Sequence, residues 1–374
     1  MQKSVVPPLS TRMYEPFSSK NEWLYNYFQF RRLVKDRVDI SFLAKNFLSK
    51  IGRNNSDLAI RFRGCLLGLA IGDALGTTLE FSSRNISNSH TEIIGGGPFG
   101  LNPGEWTDDT SMALCLAQSL LEKQHFDPRH QMDLYVAWWK EGFLSSNGSC
   151  FDIGNTVSTA LQHYIDTGEY YAGSNEEHSA GNGSLMRLAP VVLFYASDPD
   201  LAVANAALSS KTTHGNLQCV DSCRYFAALL IGALKGVPKH ELLAPFYYPT
   251  ANDWKYNPLC GEVSTVAQGS FKEKSRENIE STGYVIHTLE AALWAFYNSN
   301  SFEEGLVKAV NLGGDSDTVG AIYGQLAGAY YGDIEIPFKY LKDLKYFYYF
   351  YFFADEFLSY YSGQDEFLEF SHSI

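Results

Sequence analysis

The sequence predicts an all-α protein, and three observations carry that prediction. From Arg61 onward apolar residues recur at three-and-four spacing, in residues 114–121, 134–143, 157–164, 201–208, 219–234, 285–296 and 302–310, the period of one helix face. Few stretches alternate apolar and polar residues as half-buried strands do. Glycines also recur every four residues in two places: Gly64, Gly68, Gly72 and Gly76, then Gly320, Gly324, Gly328 and Gly332. Each costs about 1 kcal/mol in a helix relative to alanine, so two stripes need a compensating gain, and close approach of two backbones supplies it. Both glycine helices are expected to lie buried near each other at the centre of a helical bundle. A membrane dimer motif does not fit, because both segments are short and bounded by charged residues.

Taken in chain order, the elements divide at residue 57. Residues 1–20 carry prolines and serines with little periodicity and read as an extended arm. Residues 21–51 interleave Trp23, Tyr25, Tyr27, Phe28 and Phe30 with basic residues and predict one or two short helices. This gives an N-terminal extension, 1–57, that can serve as a partner-binding arm, and a main domain, 58–374. Near the other end, KYFYYFYFFADEF (345–357) predicts a buried helix.

Composition sets limits on function. With 374 residues and 45% hydrophobic content the chain supports a sizeable core, and a net charge of −13 argues against nucleic acid or an anionic membrane surface as partner. No signal peptide and no uncharged apolar run of about 18 residues is present, so a cytoplasmic location is expected. Six scattered cysteines read as reduced thiols, not a disulfide framework.

Two acidic segments carry the chemistry. NLGGDSDTVG (311–320) sets Asp315 and Asp317 two apart before Thr318, and GEWTDDTSM (104–112) sets Thr107 before Asp108 and Asp109. The second can be a helix N-cap cluster. Occurring twice, with no histidine or cysteine in either, they make two all-oxygen half-sites for hard cations, favouring Mg²⁺ or Mn²⁺ over zinc, with two bridged ions a further option. Glycine turns at SNGSCFDIGNT (146–156) and AGNGSLMRLAP (180–190) can present N–H groups to phosphate oxygens. Most such loops are plain turns, but two beside a candidate metal pair point toward a phosphorylated, diol-bearing ligand.

These segments carry a resemblance. GCLLGLAIGDALGTTLEF (64–81), GGGPFGLNPGEWTDDTSMAL (95–114), FDIGNT (151–156), GNGSLMRLAPV (181–191), THG (213–215), TGYVIHTLEAALWAF (282–296) and NLGGDSDTVGAIYGQLAGAYYG (311–332) occur in the order seen in the ADP-ribosylglycohydrolase family, which the chain resembles. That resemblance implies an orthogonal helical bundle around a dinuclear Mg²⁺ or Mn²⁺ site, and hydrolysis of the bond joining ADP-ribose to a protein side chain, most closely the arginine-directed members. It implies Thr107, Asp108, Asp109, Asp315, Asp317 and Thr318 as metal ligands. Glu80 and Asp109 become the candidates for acid–base work, with Asp152 a third for pairing with a guanidinium leaving group, while Gly148, Ser149, Gly154, Asn182, Gly183, Ser184 and His214 line the ligand pocket. Asp73 falls behind the ligands, orienting a water, and His287 stands where relatives often have aspartate. The aromatic and basic extension, 1–57, makes the chain similar to immunity proteins that undo an ADP-ribosyltransferase toxin and grip it. A silent binding protein on the same scaffold and a dimetal phosphohydrolase are the alternative readings.

Overall fold

The structure, a computed structural model, describes residues 56–84, 89–251 and 254–362. The extension read at 1–57 lies outside these, its last two residues excepted. Among the described residues there are helices, four short 3₁₀ turns and three isolated β-bridges, and no strand.

At the centre lie α1 (Asp57–Gly76) and α12 (Ser316–Tyr331), the two glycine-striped helices. Ser56 caps α1, its hydroxyl accepting from the Ala59 N–H at 3.3 Å. Both helices are apolar nearly all round because both are buried nearly all round. They run antiparallel with glycine on glycine: Gly64 faces Gly328, Gly68 faces Gly324, Gly72 faces Gly320, and Gly76 meets Ser316 and Asp317. A Cβ built on Gly68 would stand 2.1 Å from the Gly324 carbonyl oxygen, and one on Gly324 would stand 1.9 Å from that of Gly68. The stripe is thus a backbone-to-backbone contact that no side chain can enter. Ser316 closes its end by donating to the Gly76 carbonyl at 2.8 Å.

Other helices wrap this pair: α2 (Asp108–Lys123), α3 (Pro128–Glu141), α4 (Asn155–Thr167), α5 (Ala189–Phe194), α6 (Pro199–Lys211), α7 (Leu217–Leu234), α8 (Lys239–Leu242), α9 (Gly261–Gln268), α10 (Val285–Tyr297), α11 (Phe302–Val310), α13 (Phe338–Asp343) and α14 (Tyr348–Ser362). All seven segments with three-and-four spacing fall on helices, except that α3 stops at Glu141, where Gly142 turns left-handed (φ 69°). Asp127 and Asp198 cap α3 and α6 just before a proline at the first helical position. By length and composition α7 is apolar enough to cross a membrane, yet it is almost wholly buried in the bundle, with Asp221 and Arg224 paired at 2.7 Å along it.

The aromatic segment near the C-terminus begins its helix at Tyr348 and is buried along one face only, through Phe350, Phe353, Ala354 and Phe357. Phe350 meets the ring of Trp106 edge-on at 5.4 Å, and Asp355 binds Arg63 of α1 at 2.7 Å. Trp106 directly precedes Thr107, so α14 backs the acidic segment at the start of α2.

Candidate functional site

Glycine packing brings the C-terminal end of α1 onto the N-terminal end of α12, and Asp73 then ties in α2. This buried carboxylate accepts from the Thr107 N–H (2.9 and 3.1 Å), the Thr107 hydroxyl (3.0 Å), the Thr110 N–H (3.1 Å) and the Thr110 hydroxyl (2.6 Å). It caps α2 from another helix, the task that Thr107 at the N-cap position does not perform with its own side chain. Its hydrogen bonds thus go to the start of α2. Sequence reading missed Thr110, whose only signal was its place three residues after Thr107.

Thr107 and Thr318 join the two half-sites. The Thr107 hydroxyl lies 3.2 Å from Asp109 Oδ2 and 3.4 Å from Asp317 Oδ2, and the Thr318 hydroxyl lies 3.4 Å from the same Asp109 oxygen. Asp315 is held from the side: its Oδ2 accepts from Asn182 Nδ2 at 2.8 Å, and that amide also donates to Thr288 at 3.0 Å. Glu80 and Asp152 arrive from separate segments, and Glu80, Asp152 and Asp317 each bring a carboxylate oxygen within 4.8 Å of the others. Asp152 does so with a left-handed backbone (φ 59°), a conformation that costs free energy for a non-glycine residue.

This grouping is unfavourable without a counter-charge. Burial first, and neighbouring carboxylates second, raise Asp108, Asp109 and Asp317 well above the usual aspartate range. The same causes push Asp152 up to about 8 and Glu80 to about 9. Asp73 rises only to about 6, because its hydrogen bonds offset part of the desolvation. Among the described residues no lysine or arginine pairs with any of these groups. Asp109 Oδ1 and Glu80 Oε2 are buried with no hydrogen-bond partner. Clustered hard oxygens, two of them unsatisfied, with no basic side chain in reach, fit a divalent metal ion.

The sign of the resulting pH dependence is fixed. A carboxyl raised in the fold keeps its proton there and loses it in the unfolded chain, so stability is greatest below the unfolded value and falls as pH rises toward the folded one. For Asp152 the window runs from 3.8 to about 8, and for Glu80 from 4.5 to about 9. In chelator the melting temperature is therefore expected to fall by about 5 °C or more between roughly pH 5 and 9, and a saturating divalent cation to remove most of that slope. Melting curves with and without chelator across that range check this; a slope the cation leaves unchanged would contradict the metal fit.

Two glycine segments border the carboxylates. In the first, Gly148 is left-handed (φ 86°) and Ser149 N–H donates to the Asn147 side chain at 3.0 Å. Gly154 caps α4 with open space where a Cβ would stand. In the second, neither Gly181 nor Gly183 has a positive φ, so backbone freedom is not why they are glycine. A Cβ on Gly183 would stand 2.9 Å from Cε1 of the buried His214, so the glycine makes room for that ring. The Ser184 hydroxyl turns into the core, accepting from Ser210 at 2.9 Å and Cys223 at 3.5 Å. Its N–H and that of Gly183 have no acceptor among the described residues. Asn182 borders the carboxylates directly through Asp315. His287 sits farther along, half-buried, bound to Glu280 and Thr282, each at 2.9 Å.

A buried cluster of oxygen donors that could hold a cation, set at converging helix ends beside a glycine turn with free amides, defines a class of helical protein with a candidate metal site and a ligand approach. A model of the family "ADP-ribosylglycohydrolase" matches residues 54–366, and the chain belongs to that family, whose members are glycosidic-bond hydrolases. It is 44% identical to the ADP-ribosylarginine hydrolase Tri1 of Pseudomonas putida (strain GB-1) over 74% of this chain and 72% of that one. Identity is 42% to the ADP-ribosylarginine hydrolase Tri1 of Serratia proteamaculans (strain 568), over 75% and 74%. A solved structure described as an ADP-ribosylglycohydrolase-related protein complex superposes with a TM-score of 0.70 at 43% identity, over 82% of this chain and 99% of that one.

Proposed function

We propose that this chain removes ADP-ribose from arginine side chains of modified proteins by hydrolysing the bond at C1′ of the ribose, with two Mg²⁺ or Mn²⁺ ions at the carboxylate cluster. The observation that carries this reading is the unpaired cluster of buried carboxylates beside a turn with free amides. One side needs cations, and the other accepts an anion. Two relatives named ADP-ribosylarginine hydrolases, at 44% and 42% identity, support the arginine linkage.

Thr107, Asp108, Asp109, Asp315, Asp317 and Thr318 would hold the ions, which supply positive charge and Lewis acidity for vicinal hydroxyls and water when bound. Around them the chain's own groups have distinct tasks. Amides at Gly183 and Ser184, with the loop 148–154 at the start of α4, take the pyrophosphate oxygens. Asn182 keeps Asp315 turned toward the cluster. Glu80, Asp152 and Asp109 are the proton carriers: one takes a proton from the attacking water, and another returns one to the departing guanidine nitrogen. Nearby positive charge lowers the raised values of Glu80 and Asp152 toward neutrality, where a carboxyl pair can hold one proton between them.

A second, separable activity is proposed for residues 1–57. Trp23, Tyr25, Tyr27, Phe28, Phe30, Arg31 and Arg32 concentrate aromatic and basic side chains in an otherwise acidic chain, and these residue types dominate binding hot spots. An ADP-ribosyltransferase toxin is the proposed partner, with reversal of its modification as the enzyme's use. Incubation with proteins carrying ADP-ribose on arginine or on serine, with and without Mg²⁺, tests the chemistry. Free ADP-ribose from the arginine substrate is expected; AMP or phosphate would mean attack at phosphorus, and no product at all would leave a silent binding protein. A truncation starting near Asp57 should keep turnover and lose tight toxin binding, and equal affinity with the full chain would end the second proposal.

A further inference from the structure

Arg187 is fully buried, and among the described residues it has no carboxylate partner. Its Nη2 donates to Thr213 Oγ1 at 2.7 Å and more weakly to Thr212 Oγ1 at 3.4 Å, Nη1 reaches Met112 Sδ at 3.7 Å, and Cζ sits 4.5 Å from the centre of the Tyr135 ring. Nε makes no hydrogen bond. A buried cation without a counter-charge lowers stability, so its retention in the core points to a use other than stability.

That use is the control of one proton. A guanidinium only donates, so Thr213 Oγ1 accepts from it. Among the described residues the one other polar partner of this hydroxyl is His214 Nδ1, at 2.8 Å. The hydroxyl's single proton therefore points to Nδ1. The reverse arrangement, with Nδ1–H donating, would leave a fully buried hydroxyl proton with no acceptor. The ring proton then belongs on Nε2, the edge against the glycine turn: a Cβ on Gly183 would lie 3.2 Å from Nε2, and one on Gly181 would lie 3.5 Å away. Burial, aided by the Arg187 charge, depresses His214 to about 3, so the ring stays neutral.

We propose that Arg187 is a positioning residue which, through Thr213, fixes His214 as an Nε2–H donor at the Gly181–Ser184 turn, alongside the free amides of Gly183 and Ser184. The ligand oxygens it serves are those of ADP-ribose, and that clause rests on the function proposed above. Nitrogen-15 NMR of histidine-labelled full-length protein reads the tautomer directly, with His214 assigned by the loss of its signals in His214→Gln. Wild type is expected to show the Nε2–H form, unchanged between about pH 5 and 8, where an ordinary histidine titrates. Thr213→Val should release it to a mixture and weaken ADP-ribose binding by about tenfold, while Thr213→Ser keeps both. Arg187→Met should behave as Thr213→Val, and if it does not fold, the two Thr213 variants decide. An Nδ1–H tautomer in the wild type, or a Thr213→Val variant with unchanged tautomer and affinity, overturns the proposal. Because the tautomer is read without ligand, an Nε2–H form lost in Thr213→Val supports the assignment even if wild type binds no ADP-ribose, a result that would sink the proposed substrate instead.

Discussion

Asp317→Ala is expected to lower turnover by about a thousandfold or more, yet in chelator to melt no lower than the wild type. The first half follows if Asp317 is a ligand: its carboxylate lies within 4.8 Å of those of Glu80 and Asp152, and one of its oxygens lies near the Thr107 hydroxyl. The second half follows from electrostatics. Asp317 is fully buried among Asp109, Glu80, Asp315 and Asp152, so its deletion relieves like-charge crowding and desolvation and opens no hydrophobic cavity. Asp109→Ala should behave alike. Product release across a Mg²⁺ titration, beside melting curves in chelator, checks both halves. Turnover within tenfold of wild type under limiting Mg²⁺ would end the metal assignment, and a melting point many degrees lower would show that the carboxylate is structural.

Gly324→Ala is expected to lower the melting temperature by about 10 °C or more and to take most of the activity with it. One methyl suffices because the atom it meets, 1.9 Å away, is the Gly68 carbonyl oxygen. A side chain could turn aside; a helix backbone in the middle of the bundle cannot. The helices must separate, and the pairing of Gly76 with Ser316 and Asp317 that brings Glu80 toward Asp317 separates with them. Gly261→Ala is the control, since its Cβ would meet nothing within 4 Å and it opens a peripheral helix. Thermal melts and turnover measured for both variants decide the matter, and a Gly324→Ala protein as stable as wild type would refute the close contact.

The glycine pair was legible because its signal is periodic and leaves few physical explanations. Thr107 to Asp109 and Asp315 to Thr318 were legible for a related reason: the same oxygen-rich pattern occurs twice ahead of helical spacing. Convergence of Glu80 and Asp152 on Asp317 was not readable from spacing, and the family resemblance put both forward for chemistry without setting them against Asp317. Asp73 shows where local reasoning stops. Its carboxylate caps a helix whose N-cap residue, Thr107, lies 34 residues on, and nothing in its own neighbourhood identifies that helix end. The glycines of the 181–184 turn misled in a different way. They look like flexible backbone, but Gly183 is small because an imidazole 31 residues later occupies the space, as the buried network of Arg187, Thr213 and His214 makes plain.

The antiparallel glycine contact also has a kinetic meaning. Ser316 and the Gly76 carbonyl that it binds are 240 residues apart, so α1 is completed by a helix made much later. At roughly 5–20 residues per second of synthesis, α1 waits on the order of ten to fifty seconds for the partner that covers its glycine face. Closing so long a loop delays the contact further. The two halves of the acidic cluster stay apart in the meantime, and the like charges are brought together only when the two helices dock.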